Sequence, residues 1–478
     1  NDLEIATVGG TAGISAPGGR ITLRVGDALT QEAGAPITAA ELLIRGRGPV
    51  VLAQTGNIVD VLAADLTGSE ESFIYTNGGD LAVGTIGGTA GITTAGGSVE
   101  LTIGADEGLL SVDEPIETDP SDTAGADITL RSDKIDLTAT VDAVAETVTL
   151  VPETAGDEAD AIDLGSTGDS AADTLELSDA EFDFVKAGTL GVGDADSGEI
   201  RLRGDLSPAE LTGELRLNSE ARTTDGVTLT APGLFLTERL SVVAVSLKRT
   251  LAVNGDLEFG PSSVLHTTLD GVTPGSEHDR IAVTGDVKFS GTVTGEGSHV
   301  YDVNDALTVI DGGGSGDGTS EETITVNGQR FGVDEPGGAA TDLLLVRLSQ
   351  EWTWDGGAGP ADRRWSNALN WQRDTAHPGG GDRLRFPDDI DSARPENDLA
   401  PGTAIGSIAF GDAGGTNAYR LVGNGLTLQG DIRNQSSIDQ TVDLALELDS
   451  THTFEGESGA LLLDGTLDGG GVVTIAGA

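Results

Sequence analysis

Apolar residues recur at alternate positions in short runs along the whole chain, separated by glycine, asparagine or aspartate turns. Asp127–Asp133 (DITLRSD), Lys134–Val141 (KIDLTATV), Glu199–Leu206 (EIRLRGDL), Glu214–Glu220 (ELRLNSE), Val227–Leu236 (VTLTAPGLFL) and Leu251–Phe259 (LAVNGDLEF) all have this form. A period of two sends successive side chains to opposite faces, which predicts strands with one buried face. Helical periodicity is nearly absent, and Ala361–Leu369 is the only stretch that allows a helix. Short strands spaced by about 8 to 12 residues leave three architectures: a sandwich, a barrel or a β-solenoid.

An internal repeat decides between them. Asp2–Leu23 reads DLEIATVGGTAGISAPGGRITL and Asp80–Leu101 reads DLAVGTIGGTAGITTAGGSVEL, aligned without a gap at an offset of 78 residues. Gly9, Gly10, Gly13, Gly18 and Gly19 match Gly87, Gly88, Gly91, Gly96 and Gly97, and exchanges such as Val8 for Ile86 are conservative. Long-range repetition is the mark of stacked coils, none of which can bury its apolar face alone. Aromatic residues make up only 4% of the chain, too few for an ordinary sandwich core, whereas ladders of Val, Ile, Leu and Ala suit a narrow solenoid. At ~20 to 25 residues per coil, the repeat would be three or four coils, and the chain about 20 coils or on the order of 100 Å of stacked strands. The expected fold is all-β, an elongated parallel β-helix.

Charge changes the picture of the surface. Among 478 residues, 79 are Asp or Glu and 26 are Lys or Arg, a net charge of −53. A nucleic acid or an anionic lipid surface is thereby excluded as the main partner, because phosphates need a basic face. Such a surface needs counter-ions, which points to high salt or divalent cations in the medium. Only Lys134, Lys186, Lys248 and Lys288 are lysines. This acid-rich, lysine-poor composition fits a saline source, although a GC-rich genome gives the same preference for arginine. With no cysteine, disulfides, thiolate metal sites and cysteine nucleophiles are all absent. With no methionine, Asn1 reads as a processed terminus or as an internal point of a longer chain. No apolar run approaches the ~20 residues of a membrane helix, and no signal-peptide pattern stands at the start.

The unit GGTAGIxxxGGxIxL resembles the repeats of filamentous-haemagglutinin-like and autotransporter-passenger proteins. Ala35–Gly68 is similar to their coil pattern. Gly275–Val293 (GSEHDRIAVTGDVKFSGTV) is similar to a late passenger motif, and Trp365–Trp371 (WSNALNW) with the later GLTLQGDIRNQSS resembles the autotransporter-associated strand repeat. The resemblance covers most of the chain. It implies a right-handed parallel β-helix, secreted and displayed on a bacterial surface. Passengers usually end in a transmembrane β-barrel with long amphipathic strands; the last residues here, LDGGGVVTIAGA, stay coil-like.

Four segments organise the chain on this reading. Residues 1–125 carry the repeat, 126–245 continue the helix with acidic loops, 246–350 hold the passenger-like motif, and 351–478 open on a tryptophan-rich junction followed by further coils.

Catalytic chemistry is thin. His266, His278, His299, His377 and His452 are scattered singly, and neither HExxH, GxSxG nor GxxxxGK occurs. Gly312–Gly318 lacks the following helix of a phosphate cradle and reads as a loop. No catalytic, cofactor-binding or metal-binding residue is assigned, and enzymatic activity is not expected. Calcium is the cofactor considered: Asp194, Asp196 and Glu199 are spaced like a short calcium loop, as are Asp311, Asp317 and Glu321, though solvated turns are the commoner outcome. Arg203-Gly204-Asp205 spells an integrin-type triplet inside a strand–turn. All four tryptophans, Trp352, Trp354, Trp365 and Trp371, fall in one twenty-residue window. They read as a plug seating two solenoid segments, with a sugar-stacking platform as the alternative.

Both ends read as strands (NDLEIATV and GVVTIAGA) without a legible cap. Either further coils adjoin this segment, or one copy stacks on the next. The expected function is that of an extracellular, secreted structural protein of a bacterial surface: a fibre, sheath or stalk. Its expected partners are copies of itself or adjoining segments, with surface polysaccharide as a further candidate. An adhesin or carbohydrate-binding module is the alternative, and a polysaccharide lyase or glycosidase comes third.

Overall fold

The computed structural model describes residues 2–121, 123–153, 159–166, 168, 170–223, 227–237, 239–242, 250–318, 323–334, 342–372, 374–390, 394–411 and 414–477. It is a β-solenoid of about 18 turns built from stacked parallel strands. At the ~4.8 Å strand spacing, that is roughly 85 Å of stacked coils. The alternation read from the sequence sets the strands directly. In Val99–Ile103, for example, Val99, Leu101 and Ile103 are buried while Glu100 is exposed.

One column of paired residues runs through the first part of the chain. Leu3 pairs with Leu29, and the column continues through Val50, Phe73, Val99, Ile128, Val148, Leu190, Leu215, Leu234, Leu257, Val287 and Gly316. Each step is one coil, of 19 to 30 residues except for 42 between Val148 and Leu190. A second column follows Ile21, Leu42, Leu62, Val83, Val112 and Leu137. A third begins at Leu175 and Ile162 and passes through Ile200, Ala221, Leu240, Leu265 and Val293. The long coil is where one lateral face gives way to another. It also holds the four-residue helix Asp179–Phe182, capped reciprocally by Ser178 and Glu181.

The repeat folds alike in both copies but is not a whole number of coils. Leu3–Ile5 and Leu81–Val83 are each followed by a small antiparallel hairpin, Thr7–Ala12 or Thr85–Ala90. Both hairpins turn on a glycine pair at positive φ, Gly9-Gly10 and Gly87-Gly88, the left-handed pair that a tight two-residue hairpin needs. Their flanking strands nevertheless occupy different faces. Leu3 stacks on Leu29 in the first column, whereas Val83 stacks on Leu62 and Val112 in the second. A strand–hairpin–strand module is determined locally, and each face offers it the same parallel edge.

Pairing changes direction between Ala306 and Arg347. Thr323–Val326, Gln329–Asp334, Leu343–Arg347 and Ala306–Gly312 form an antiparallel meander, its first turn closed by Asn327-Gly328 at positive φ. Parallel stacking then resumes through Trp352, Leu384, Ile408, Ile432, Phe454 and Ile475, with two further sheets beside it. Buried apolar residues fall accordingly into one large cluster from Ile5 to Leu345 and another from Trp352 to Phe454.

Two local expectations differ from the structure. Ala361–Leu369 holds no α-helix; a single 3-10 turn at Ala368–Asn370 stands there, because Asn367 caps Leu369 and the chain returns to extended backbone at Trp371. Gly316–Gly318, within the expected glycine loop, is a strand, since Val287–Phe289 on the preceding coil offers it a parallel edge. No helix among the described residues is long and apolar enough to cross a membrane.

Candidate functional site

A concavity lies on the outer side of the first column, between Thr189 and Lys288. Strands Val185–Val192, Leu211–Leu217, Thr228–Leu236, Thr250–Phe259 and Val287–Phe289 supply it, one from each successive coil. Glycine lets the coils approach at its upper edge: a Cβ on Gly213 would sit 2.2 Å from the Gly188 carbonyl oxygen. The resulting groove encloses about 530 Å³, with Glu214, Asp256, Glu258, Asp286 and Lys288 along its walls.

Its outward side chains form a register of their own. Arg216, Phe235, Glu258, Lys288 and Asp317 are stacked neighbours on five coils. The Arg216 guanidinium lies 4.9 Å from the Phe235 ring centre and also pairs with Glu214. Lys288 Nζ is 3.2 Å from Glu258 Oε2. Asp256 Oδ1 accepts the Asp286 N–H at 2.7 Å, and Asp286 Oδ1 accepts the Ser315 N–H at 2.6 Å, so each carboxylate ties down the next coil. Hydrogen bonds from Ser315 hold the Asp286 carboxyl below the usual range. The groove is therefore an acceptor-rich trough along the stacking direction, suited to hydroxyl groups rather than to anions.

A second concentration of charge sits at the long coil, where residues distant in sequence converge. Asp133 is 4% exposed and accepts N–H bonds from Glu107 (2.8 Å) and Glu153 (3.1 Å). The Asp160 carboxyl lies beside that of Asp133, and burial raises both. Burial first, then the charge of Asp133, pushes Asp160 up to about 7, with Asp173 and Asp106 adding to the effect. Burial likewise raises Glu153. Glu107 pairs with Lys134 at 2.6 Å, and Asp194 with Arg131 at 2.8 Å. Sequence reasoning missed this carboxyl pair because its members are joined only by the fold of the 42-residue coil.

The residues singled out in the sequence go to varied places. Asp194 bonds Arg131, Ser197 and the Asp196 N–H; burial opposes its charge, but these bonds hold it below its ordinary value. Glu199 engages Arg201 at 3.0 Å, and Arg222 approaches it at 3.8 Å. Asp311 pairs with Arg280, Asp317 is the register neighbour of Lys288, and Glu321 lies outside the described residues. No group of three or more His, Asp or Glu placed to hold a metal occurs among the described residues. Arg203 bonds Asp163 at 3.1 Å, and Asp205 accepts the Thr228 N–H at 2.7 Å, so the triplet is a corner tied into neighbouring coils.

The histidines are not gathered. His278 is buried between the carbonyls of Gly271 and Thr308, His452 faces Asp449, His266 faces Thr294, His299 stacks edge-on against Tyr301, and His377 faces the Pro378 carbonyl.

The tryptophan window is not the sugar platform held as the alternative. All four rings are buried in the second core, so their faces are closed to a ligand. Trp352 Nε1 donates to Asp382 and Trp371 Nε1 to the Trp365 carbonyl, both at 2.8 Å. The Nε1 atoms of Trp354 and Trp365 have no acceptor among the described residues. Both rings pack edge-on against Trp371.

No protein-family model, curated protein or solved structure matches this chain. The β-solenoid itself is compatible with the surface-protein resemblance.

Proposed function

We propose that the chain is a structural rod segment of an extracellular bacterial surface fibre, sheath or stalk, of the filamentous-haemagglutinin or autotransporter-passenger kind. The unbroken column from Leu3 to Gly316 carries this reading. Each coil along that column is held to the next by parallel backbone pairing, so force along the stack is shared by several ladders at once. The acidic exterior keeps rods apart in low salt and lets cations link them. The role is mechanical and needs no catalytic residue.

Assembly belongs to the same proposal. In the last coil Ile475 continues the core column of Trp352, Leu384, Ile408, Ile432 and Phe454, yet it is 85% exposed. A further coil stacked there, whether of the same protein or of a second copy, would cover it and extend the rod. Negative-stain electron microscopy of the purified chain in native salt with calcium tests this. Rods joined end to end are expected. Dispersed single rods at every concentration would overturn the assembly.

The groove favours a second reading, a carbohydrate-binding adhesin. Its carboxylates and Lys288 lie along the stack, as a linear hydroxyl-rich chain would require. Glycan-array binding that is lost in Glu258→Ala and Asp256→Ala would put this reading first.

A further inference from the structure

His278 is fully buried, and both nitrogens of its ring face carbonyl oxygens. Nδ1 lies 3.1 Å from the Gly271 carbonyl and Nε2 lies 3.2 Å from that of Thr308. A carbonyl oxygen only accepts, so each contact is a hydrogen bond only if the nitrogen carries a proton. Neutral imidazole carries one such proton and would set a lone pair against the other oxygen. Imidazolium carries two and satisfies both.

The two carbonyls belong to different parts of the fold. Gly271 lies in the loop Leu269–Asp279, which is folded on itself. There the Asp270 N–H donates to the Glu277 carbonyl at 2.7 Å, and the Glu277 N–H to the Thr273 carbonyl at 2.9 Å. Asp279 Oδ2 accepts the Thr268 N–H at 2.6 Å. Burial pushes the Tyr301 hydroxyl up, so it keeps its proton and also donates to the Gly271 carbonyl, at 3.0 Å. Thr308 lies in Ala306–Gly312, the strand at which parallel stacking gives way to the antiparallel meander. That strand pairs in parallel with Arg280–Val283 and antiparallel with Leu343–Arg347, and its antiparallel register slips between Thr308 and Ile310. One ring therefore staples the loop to the strand where pairing changes direction.

Burial by itself favours the neutral ring, and the surroundings oppose it. Asp270, Glu277 and Asp279 share the loop with His278, and bonds from Thr273 hold Glu277 below its ordinary value. Tyr301 brings His299, edge-on to its ring, with Asp302 and Asp305 in the same segment. On the strand side Asp311 is paired with Arg280. Carboxylates outnumber cations on every side, in a chain of net charge −53, and their field favours the imidazolium.

We propose that His278 is a buried imidazolium acting as a pH-operated staple: charged, it ties the Leu269–Asp279 loop to the edge of the meander, and loss of a proton releases one of the two bonds. An unfolded histidine gives up its proton at about 6.5. A fold that needs both ring protons holds them to higher pH, so the staple is complete below that value and opens as pH rises above it. The end of the first core is thus tight in acid and loose in base.

Two measurements on the full-length chain test this, both in an Asp160→Asn background so that the carboxyl pair of the long coil does not contribute. With nitrogen-15-labelled histidine, the His278 ring signal, assigned by its loss in His278→Gln, should show two protonated nitrogens at pH 6. Hydrogen exchange, corrected for its intrinsic pH dependence, should speed up at least about tenfold from pH 6 to pH 9 in Ala306–Gly312 and Gln329–Asp334, and not in Ile37–Gly46. In His278→Gln that response should be lost. A ring with one bare nitrogen at pH 6 would overturn the imidazolium. Exchange that stays level from pH 6 to pH 9, or that responds equally in His278→Gln, would overturn the staple.

Discussion

Arg347 and Asp382 form an ion pair, Nη2 to Oδ2 at 2.6 Å, from which solvent is fully excluded. Arg347 closes the antiparallel meander at the end of the first core, and Asp382 lies at the start of the second. Asp382 also accepts the N–H groups of Gln350 (3.1 Å) and Gly379 (3.1 Å) and the Trp352 indole at 2.8 Å. The pair thus joins the two stacks at the point where backbone pairing changes direction.

Removing one partner should leave a buried charge uncompensated. Arg347→Met is expected to cost about 3–5 kcal/mol, whereas Arg347→Met with Asp382→Asn should recover part of the loss. Urea denaturation followed by tryptophan fluorescence measures both, since all four tryptophans report on the second core. Equal losses in the single and double variants would show that the charge is not what matters.

Trp365→Ala should destabilise the second core by about 3–5 kcal/mol through the cavity it leaves. Trp365 packs against Trp371 at 6.2 Å and Phe386 at 5.8 Å between ring centres. A large loss of near-ultraviolet circular dichroism is expected with it. An unchanged melting curve would contradict the buried plug.

Gly13 and Gly91 hold the same place after the two hairpins, at φ of +70° and +69°, with a Cβ falling 1.9 Å from the carbonyl oxygen of Pro36 or Pro115. Alanine at either should cost at least about 1–3 kcal/mol. Hydrogen exchange should show the loss beside the substituted copy, at Ile14 or Ile92, whose N–H groups bond those carbonyls at 2.9 Å.

The Asp133–Asp160 pair makes stability depend on pH. A carboxyl whose folded-state pKa is raised binds its proton more tightly when folded. Its stabilisation is therefore complete below the unfolded value, near 4, and is lost as pH rises to about 7. Denaturation midpoints should fall between pH 5 and pH 8 at constant ionic strength. Asp160→Asn should flatten that slope and raise the midpoint at pH 8. A slope unchanged by Asp160→Asn would refute the assignment.

The charge of −53 should make stability salt-dependent in the opposite sense to that of a protein held by surface ion pairs. Melting temperature is expected to rise from 10 mM to 1 M sodium chloride, because screening relieves repulsion among the carboxylates. A flat or falling curve would show that the ion pairs outweigh the repulsion.

Strand positions were legible because alternation is local. Val99–Ile103 or Thr228–Leu236 can be read from their own side chains, and the Gly-Gly and Asn-Gly turns from the positive φ that they alone adopt cheaply. The repeat likewise announced two like modules of short strands and glycine turns, but that each folds as a hairpin came only from the structure. The candidate site was less legible: Glu214, Asp256, Glu258 and Lys288 are ordinary strand residues until successive coils line them up, and no spacing rule joins them. Asp133 and Asp160 meet only because a 42-residue coil returns one to the other.

By itself, then, the sequence determined that the chain stacks short parallel strands around a narrow aliphatic core under an acidic surface, since alternation, turn chemistry and charge are carried by neighbouring residues. Only the tertiary structure decided which face each repeat occupies, that the tryptophans are sealed inside, and that His278 sits between two carbonyls. Those outcomes depend on which coil lies next to which, and register between coils is set by contacts across the stack rather than along the chain.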